Sequence, residues 1–157
     1  LGYFDAAYGI HEDGKSHTGA CLTVGDRGPV SVESTKQSIV TKSSTEAELV
    51  ATSDSTNMLL HLRNFLTAQG YAQGPSTVYQ DNMSCMSLID KGRSTSKKTR
   101  HIAIRYFWTK ERIDKGEITM VHRATELMGP ANVMTKPTQG AQFVDEREQL
   151  TNWVDDN

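Results

Sequence analysis

Apolar residues recur along this chain at two spacings, and the switches between them predict its elements. Residues 1–8, LGYFDAAY, read as a short strand that carries Asp5 among apolar neighbours. Aspartate runs against strand propensity, which makes Asp5 informative. A turn at Gly9–Lys15 leads to a second, loosely alternating strand at 17–24, and DRGP turns the chain into a third at 30–35. Short strands joined by Gly-rich turns predict an antiparallel meander.

From Ala47 the spacing becomes helical: Ala47, Val50, Ala51, Met58, Leu62 and Phe65 predict a helix at about 44–69, with Gly70 as its stop. Ser43 with Glu46, and Thr45 with Glu48, both fit a capping box at its start. A fourth strand, Thr77–Gln80, ends at Asp81, and a short helix at 83–90 places Met83, Met86 and Ile89 or Asp90 on one face. A polar loop leads to a helix at about 100–114, whose apolar face reads as Ile104, Phe107, Trp108 and Ile113. Glu117–His122 alternates as a fifth strand. Ala124–Thr138 reads as a loop or a short turn of helix, and a last helix at 140–153 turns Phe143, Leu150 and Trp153 inward. A helix between the third and fourth strands implies a crossover onto a parallel partner. The fold class is therefore α/β, a mixed sheet covered by helices.

At 157 residues, the chain fits one domain with a single core. It opens on Leu1 rather than Met with no secretory pattern, so the expectation is a domain, 1–157, cut from a longer polypeptide. No apolar run is long enough for a membrane span. Cys21 and Cys85 lie far apart and read as two buried thiols. The net charge of −2 announces no global basic field. Between Lys91 and Arg112, however, lie eight of the seventeen Lys and Arg residues, with Glu111 as the only acid. That window is a local electrostatic footprint, or else a solvated helix face.

Asp5, Glu48 and Asp81 form the candidate constellation. If the first and fourth strands are neighbours, Asp5 and Asp81 converge, and the helix start can deliver Glu48 above them. Three clustered carboxylates repel one another unless a cation holds them, and hard oxygen ligands suit Mg²⁺ or Mn²⁺. Two such ions clamp the attacking and leaving oxygens of a phosphodiester displacement.

The segments GYFDAAYG, SVESTKQSIVTKSSTEAELVA, VYQDNMS, KKTRHIAIRYFWTKERI and ANVMTKPTQGAQF occur in that order. Together they resemble the RNase H domain of copia-type LTR retrotransposon polyproteins over nearly the whole chain. The resemblance implies the ribonuclease H-like fold, a five-stranded mixed sheet with three antiparallel and two parallel strands flanked by helices. It also implies hydrolysis of the RNA strand of RNA/DNA hybrids during reverse transcription, with two Mg²⁺ ions per site and Mn²⁺ as substitute. The implied partners are the hybrid and the reverse-transcriptase portion of the same polyprotein. The implied setting is an intracellular, cytoplasmic retrotransposon particle.

By motif, Asp5, Glu48 and Asp81 match three of the family's four catalytic, metal-binding acids. The fourth should stand in A-D-x-x-T-K-P, which here reads Ala131-Asn132-Val133-Met134-Thr135-Lys136-Pro137. Asn132 is nearly isosteric with aspartate but neutral, and its NH₂ cannot ligate a cation. Glu126 is the only other acid between Glu117 and Asp145. Ala7 and Ala103 also depart from positions where family members often carry other residues.

For nucleic acid, Lys97, Lys98, Arg100 and Arg105 suit backbone contacts, which position rather than specify. His101 is a further phosphate candidate. The free N–H groups at Ser44 and Thr45 can take a phosphate, and Gln80 and Asn82 flank Asp81 within reach of a minor groove. The five histidines share no ligand spacing. The leading expectation is a hybrid-cutting endoribonuclease impaired by Asn132. The alternative is an RNase H-like module that binds hybrid without cutting, and a DNA strand-transferase on the same fold fits the motifs less well.

Overall fold

The computed structural model describes residues 1–25, 28–91 and 100–151, with the side chains of Arg100 and His101 left out. Five strands, β1 (Gly2–Ala7), β2 (His17–Thr23), β3 (Pro29–Lys36), β4 (Ser76–Gln80) and β5 (Ile118–His122), form one sheet in the order β3-β2-β1-β4-β5. The first three pair antiparallel, while β4 pairs parallel with both β1 and β5. The helices are α1 (Ser44–Ala68), α2 (Met83–Lys91), α3 (Arg100–Asp114), α4 (Gly129–Thr135) and α5 (Gly140–Thr151). The five-stranded mixed sheet with flanking helices is the architecture that the motifs imply.

Helix α1 starts where the first capping box placed it. Ser43 sits in extended backbone, and its hydroxyl accepts from Glu46 N at 3.2 Å. The Glu46 carboxylate reaches back to accept from Lys42 N at 2.7 Å, one residue further than the usual box. Gly70, at φ +90°, ends the helix in a conformation that side chains disfavour.

Strand alternation gives β1 two faces. Phe4 turns towards α1 and joins Ala20, Leu22, Leu59, Val78 and Ile118 in a fully packed cluster. A second cluster of Leu49, Val50, Cys85, Ile89, Ile102 and Tyr106 binds α1 to α2 and α3. Between them, Ala6, Ala47 and Ala51 pack as small residues only, so the first turns of α1 lie close against β1. That close approach brings Glu48 down to the sheet.

Several expected core residues face outward. Helix α3 buries Ile102, Tyr106 and Thr109, leaving Ile104 and Phe107 more than half exposed. The larger side chains misidentified the buried face, because Thr109 completes the inward row in place of an apolar residue. Phe65, Met83 and Phe143 are likewise exposed, and Trp153 lies outside the described residues. Residues 124–138 hold more structure than expected: a 3-10 turn at Thr125–Leu127 and then α4, with Pro130 in its first turn.

Candidate metal centre at the ends of the central strands

Parallel pairing of β1 with β4 sets Tyr3 beside Tyr79. Two residues further on come Asp5, within β1, and Asp81, the residue just past the end of β4. Helix α1 adds Glu48 from the other side. The three carboxylates each offer an oxygen, and those atoms all lie within 4.8 Å of one another. Asp5 and Glu48 are buried and Asp81 is half-buried. The sequence thus named three residues, from three separate elements, that the fold brings to one point.

Each carboxylate is held by a neighbour. Gln80 Nε2 donates to Glu48 Oε2 at 3.2 Å and to Thr52 Oγ1 at 3.1 Å, while Gln80 Oε1 accepts from Asn82 N. Thr125 Oγ1 donates to Asp81 Oδ2 at 2.8 Å. Thr135 Oγ1 donates to Asp5 Oδ2 at 2.5 Å, and Lys136 Nζ lies 3.5 Å from the same oxygen. Burial, reinforced by the charges of Asp5 and then Asp81, pushes the Glu48 carboxyl up to about 9, against the opposing pull of Gln80 and the Ala6 backbone.

Helix α4 lies on the opposite face of the sheet from α1, against Asp5 and its β2 partner Gly19. A Cβ on Gly19 would stand 2.5 Å from Thr135 Cγ2 and 2.6 Å from the Ala131 carbonyl oxygen. Only glycine permits that approach. A further tie runs from His11 Nε2 to His17 Nδ1 at 3.1 Å, from His17 Nε2 to Ser34 Oγ at 2.9 Å, and from Ser34 Oγ as donor to the Met134 carbonyl at 2.7 Å. The histidine spacing gave no hint of this pair, which the strand–turn–strand geometry creates.

Asn132 is buried in the same helix. Its Nδ2 donates to the Thr125 carbonyl at 2.9 Å, and its Oδ1, also buried, has no hydrogen-bond partner among the described residues. The amide therefore reaches Asp81 only through Thr125. Three converging carboxylates and an unpartnered buried amide oxygen nearby are a donor set that suits a hard divalent cation. Such a triad could bind one ion.

The expected nucleic-acid residues divide. Gln80 is fully buried and spends its amide behind Glu48, so it does not reach a groove. The apolar partner two residues earlier, buried Val78, marks that face of β4 as inward and was the available signal. Asn82 is half-buried, and its Oδ1 accepts from Cys85 N at 2.9 Å, starting α2. Arg105 pairs with Asp54 of α1 at 3.3 Å. Ser44 is exposed and Thr45 half-buried in the first turn of α1. Lys97 and Lys98, and the side chains of Arg100 and His101, lie outside the described residues. The site residues that sequence reasoning missed are Thr125, Thr135 and Lys136. The motif draws attention to its missing acid, while the Thr135 hydroxyl and Lys136 ammonium beside it carry no sequence signal of their own.

The strand order, the helix on each face and the acid cluster define a ribonuclease H-like fold. Solved structures agree: the chain superposes on LC11-RNase H1, isolated from compost by a metagenomic approach, with a TM-score of 0.64 over 85% of this chain and 89% of that one, at 14% identity. RNase H1 from the halophilic archaeon Halobacterium salinarum gives 0.57 over 97% of both chains, at 15% identity. In sequence, the chain's homologues are retrovirus-related Pol polyproteins of copia-type transposons, as the motifs indicated. It is 33% identical to that of transposon TNT 1-94 of Nicotiana tabacum over 143 residues, and 28% identical to that of transposon RE1 of Arabidopsis thaliana over 142. Each alignment covers 90% of this chain, which spans about a tenth of the length of the curated relatives it matches. No protein-family model matches the chain.

Proposed function

We propose that this chain is the ribonuclease H domain of a retrotransposon Pol polyprotein, acting on the RNA strand of RNA/DNA hybrids with divalent metal ions. The observation that carries this reading is the convergence of Asp5, Glu48 and Asp81, from β1, α1 and the end of β4, with carboxylate oxygens within 4.8 Å of one another. The fold and the Pol relatives support the same reading. Asp5, Glu48 and Asp81 would hold Mg²⁺, with Mn²⁺ as substitute. Such an ion supplies Lewis-acid polarisation of a phosphodiester and a water nucleophile that ionises near neutral pH.

The chain's own contribution is orientation. Gln80 fixes the Glu48 carboxylate, Thr125 fixes Asp81, and Thr135 fixes Asp5, so no carboxylate must be ordered when substrate arrives. The basic residues between Lys91 and Arg112 would hold the hybrid by its backbones. The setting is reverse transcription beside the polymerase portion of the polyprotein, inside an intracellular particle.

Asn132 favours a second reading, a module that holds hybrid and cuts it very slowly. Where the family resemblance implies an acid, the site here carries a neutral amide already committed to Thr125. A second ion then lacks a charged ligand. Cleavage of a labelled RNA strand annealed to DNA, in Mg²⁺ and in Mn²⁺, separates the readings. Slow cutting by the chain as written, raised by several orders of magnitude in Asn132→Asp and absent in Asp5→Asn, is the expected result, since about 1.4 kcal/mol of barrier is tenfold in rate. Equal rates for Asn and Asp at 132 would remove that position from the reaction. Hybrid retention with no cleavage by either would establish the binding module.

A further inference from the structure

Among the described residues, Lys136 makes the only ion pair to any of the three clustered carboxylates. Its Nζ stands 3.5 Å from Asp5 Oδ2, the oxygen that also receives the Thr135 hydroxyl. Asp5 is almost wholly enclosed, at 3% side-chain exposure, while Lys136 keeps 47% and can swing into solvent. The backbone aims it. Lys136 leaves α4 in extended conformation at φ −131° and ψ 140°, which the following Pro137 enforces by excluding the helical region. Its N–H still donates to the Asn132 carbonyl at 3.0 Å, tying its position to the helix.

The charge count gives this contact its meaning. With Glu48 ionised, three carboxylates and one ammonium leave two negative charges, the neutral amide of Asn132 adding none. Any ion that binds the cluster must work against the Lys136 charge a few ångströms away, or turn it out towards solvent.

We propose that Lys136 is the resident counter-ion of the carboxylate cluster, displaced from Asp5 when a divalent ion binds. This rests on reading the cluster as a metal centre. Lys136 thereby lowers the affinity for the ion and steadies the cluster while no ion is present. The same ammonium, once turned out, stands at the rim of the site where an anionic substrate arrives.

The test uses Mn²⁺ alone, without nucleic acid. Free Mn²⁺ is followed by electron paramagnetic resonance for the chain as written, Lys136→Met and Lys136→Arg, with Asp5→Asn as the control that loses the site. Melting in EDTA is measured in parallel. Removing one positive charge beside a dication in a partly screened site should tighten Mn²⁺ by about five- to twentyfold in Lys136→Met. Its metal-free melting temperature should fall, and Lys136→Arg should follow the parent in both. A purely structural lysine would lower the melting temperature without tightening the ion. Mn²⁺ held by Lys136→Met no more tightly than by the parent overturns the proposal. Folded parent and variant that both ignore Mn²⁺ overturn the metal reading itself, a distinct result.

Discussion

Replacing Asn132 with aspartate should make the metal-free domain less stable and the metal-bound domain more so. Asn132 is 5% exposed, and its Nδ2 donates to the Thr125 carbonyl at 2.9 Å. A carboxylate oxygen in that place faces a carbonyl oxygen, and the buried acceptor it confronts loses its donor, at about 1–3 kcal/mol. The new charge is enclosed close to a cluster of three other acids, and raising its pKa by even one unit costs about 1.4 kcal/mol at neutral pH. Together these amount to roughly 2–4 kcal/mol, or a melting temperature lower by about 5–15 °C for a domain of this size. A divalent ion reverses the sign, because it binds the folded state alone and stabilises by RT ln(1 + c/Kd) at free-ion concentration c, which grows as the fourth carboxylate lowers Kd. Differential scanning fluorimetry in EDTA and across a Mg²⁺ series reads both effects. Asn132→Ala loses the same hydrogen bond without adding charge, so it should melt early and gain nothing extra from Mg²⁺. Asn132→Asp as stable as the parent in EDTA, or no more responsive to Mg²⁺, would refute the placement of residue 132 beside the ion.

Two further outcomes follow from the same packing. Gly19→Val should cost about 2–4 kcal/mol and weaken divalent-ion binding, because its Cβ meets Thr135 and the Ala131 carbonyl and must push α4 off Asp5; an unchanged urea midpoint and Mn²⁺ affinity would contradict the close contact. Glu48, raised to about 9 from an ordinary 4.5, stabilises the metal-free fold fully below about pH 4.5, and that stability is lost as pH rises through about 9. Glu48→Gln should flatten this decline, whose limiting slope is about 1.4 kcal/mol per pH unit; identical pH–stability curves in EDTA would show that the carboxyl is not perturbed.

The element order was legible because its signals are local. The Ser43–Glu46 cap, the Gly70 stop and the period change at Ala47 each act within a few residues. The three acids were legible through their motifs, and strand pairing then brought them together. What stayed hidden depends on contacts distant in sequence. Thr135 meets Asp5 across 130 positions, and no pattern around either residue reports the other. The α3 face was misread because Ile104 and Phe107 outweigh Thr109 on any apolar count, although Thr109 is the buried one. Gln80 looked like a ligand for substrate because it adjoins Asp81, yet alternation along β4 turns the two to opposite faces. Adjacency in a strand separates residues that adjacency in a helix would leave on neighbouring faces.

The central claim is that Asp5, Glu48 and Asp81 form a metal centre one carboxylate short. It is tested most directly by an anomalous difference map from crystals soaked in Mn²⁺ with a short RNA/DNA hybrid bound. One strong peak is expected within about 2.0–2.6 Å of carboxylate oxygens from these residues in the chain as written, and a second peak beside residue 132 in Asn132→Asp. Crystals of either form with hybrid in place and no Mn²⁺ peak at the three carboxylates would contradict it.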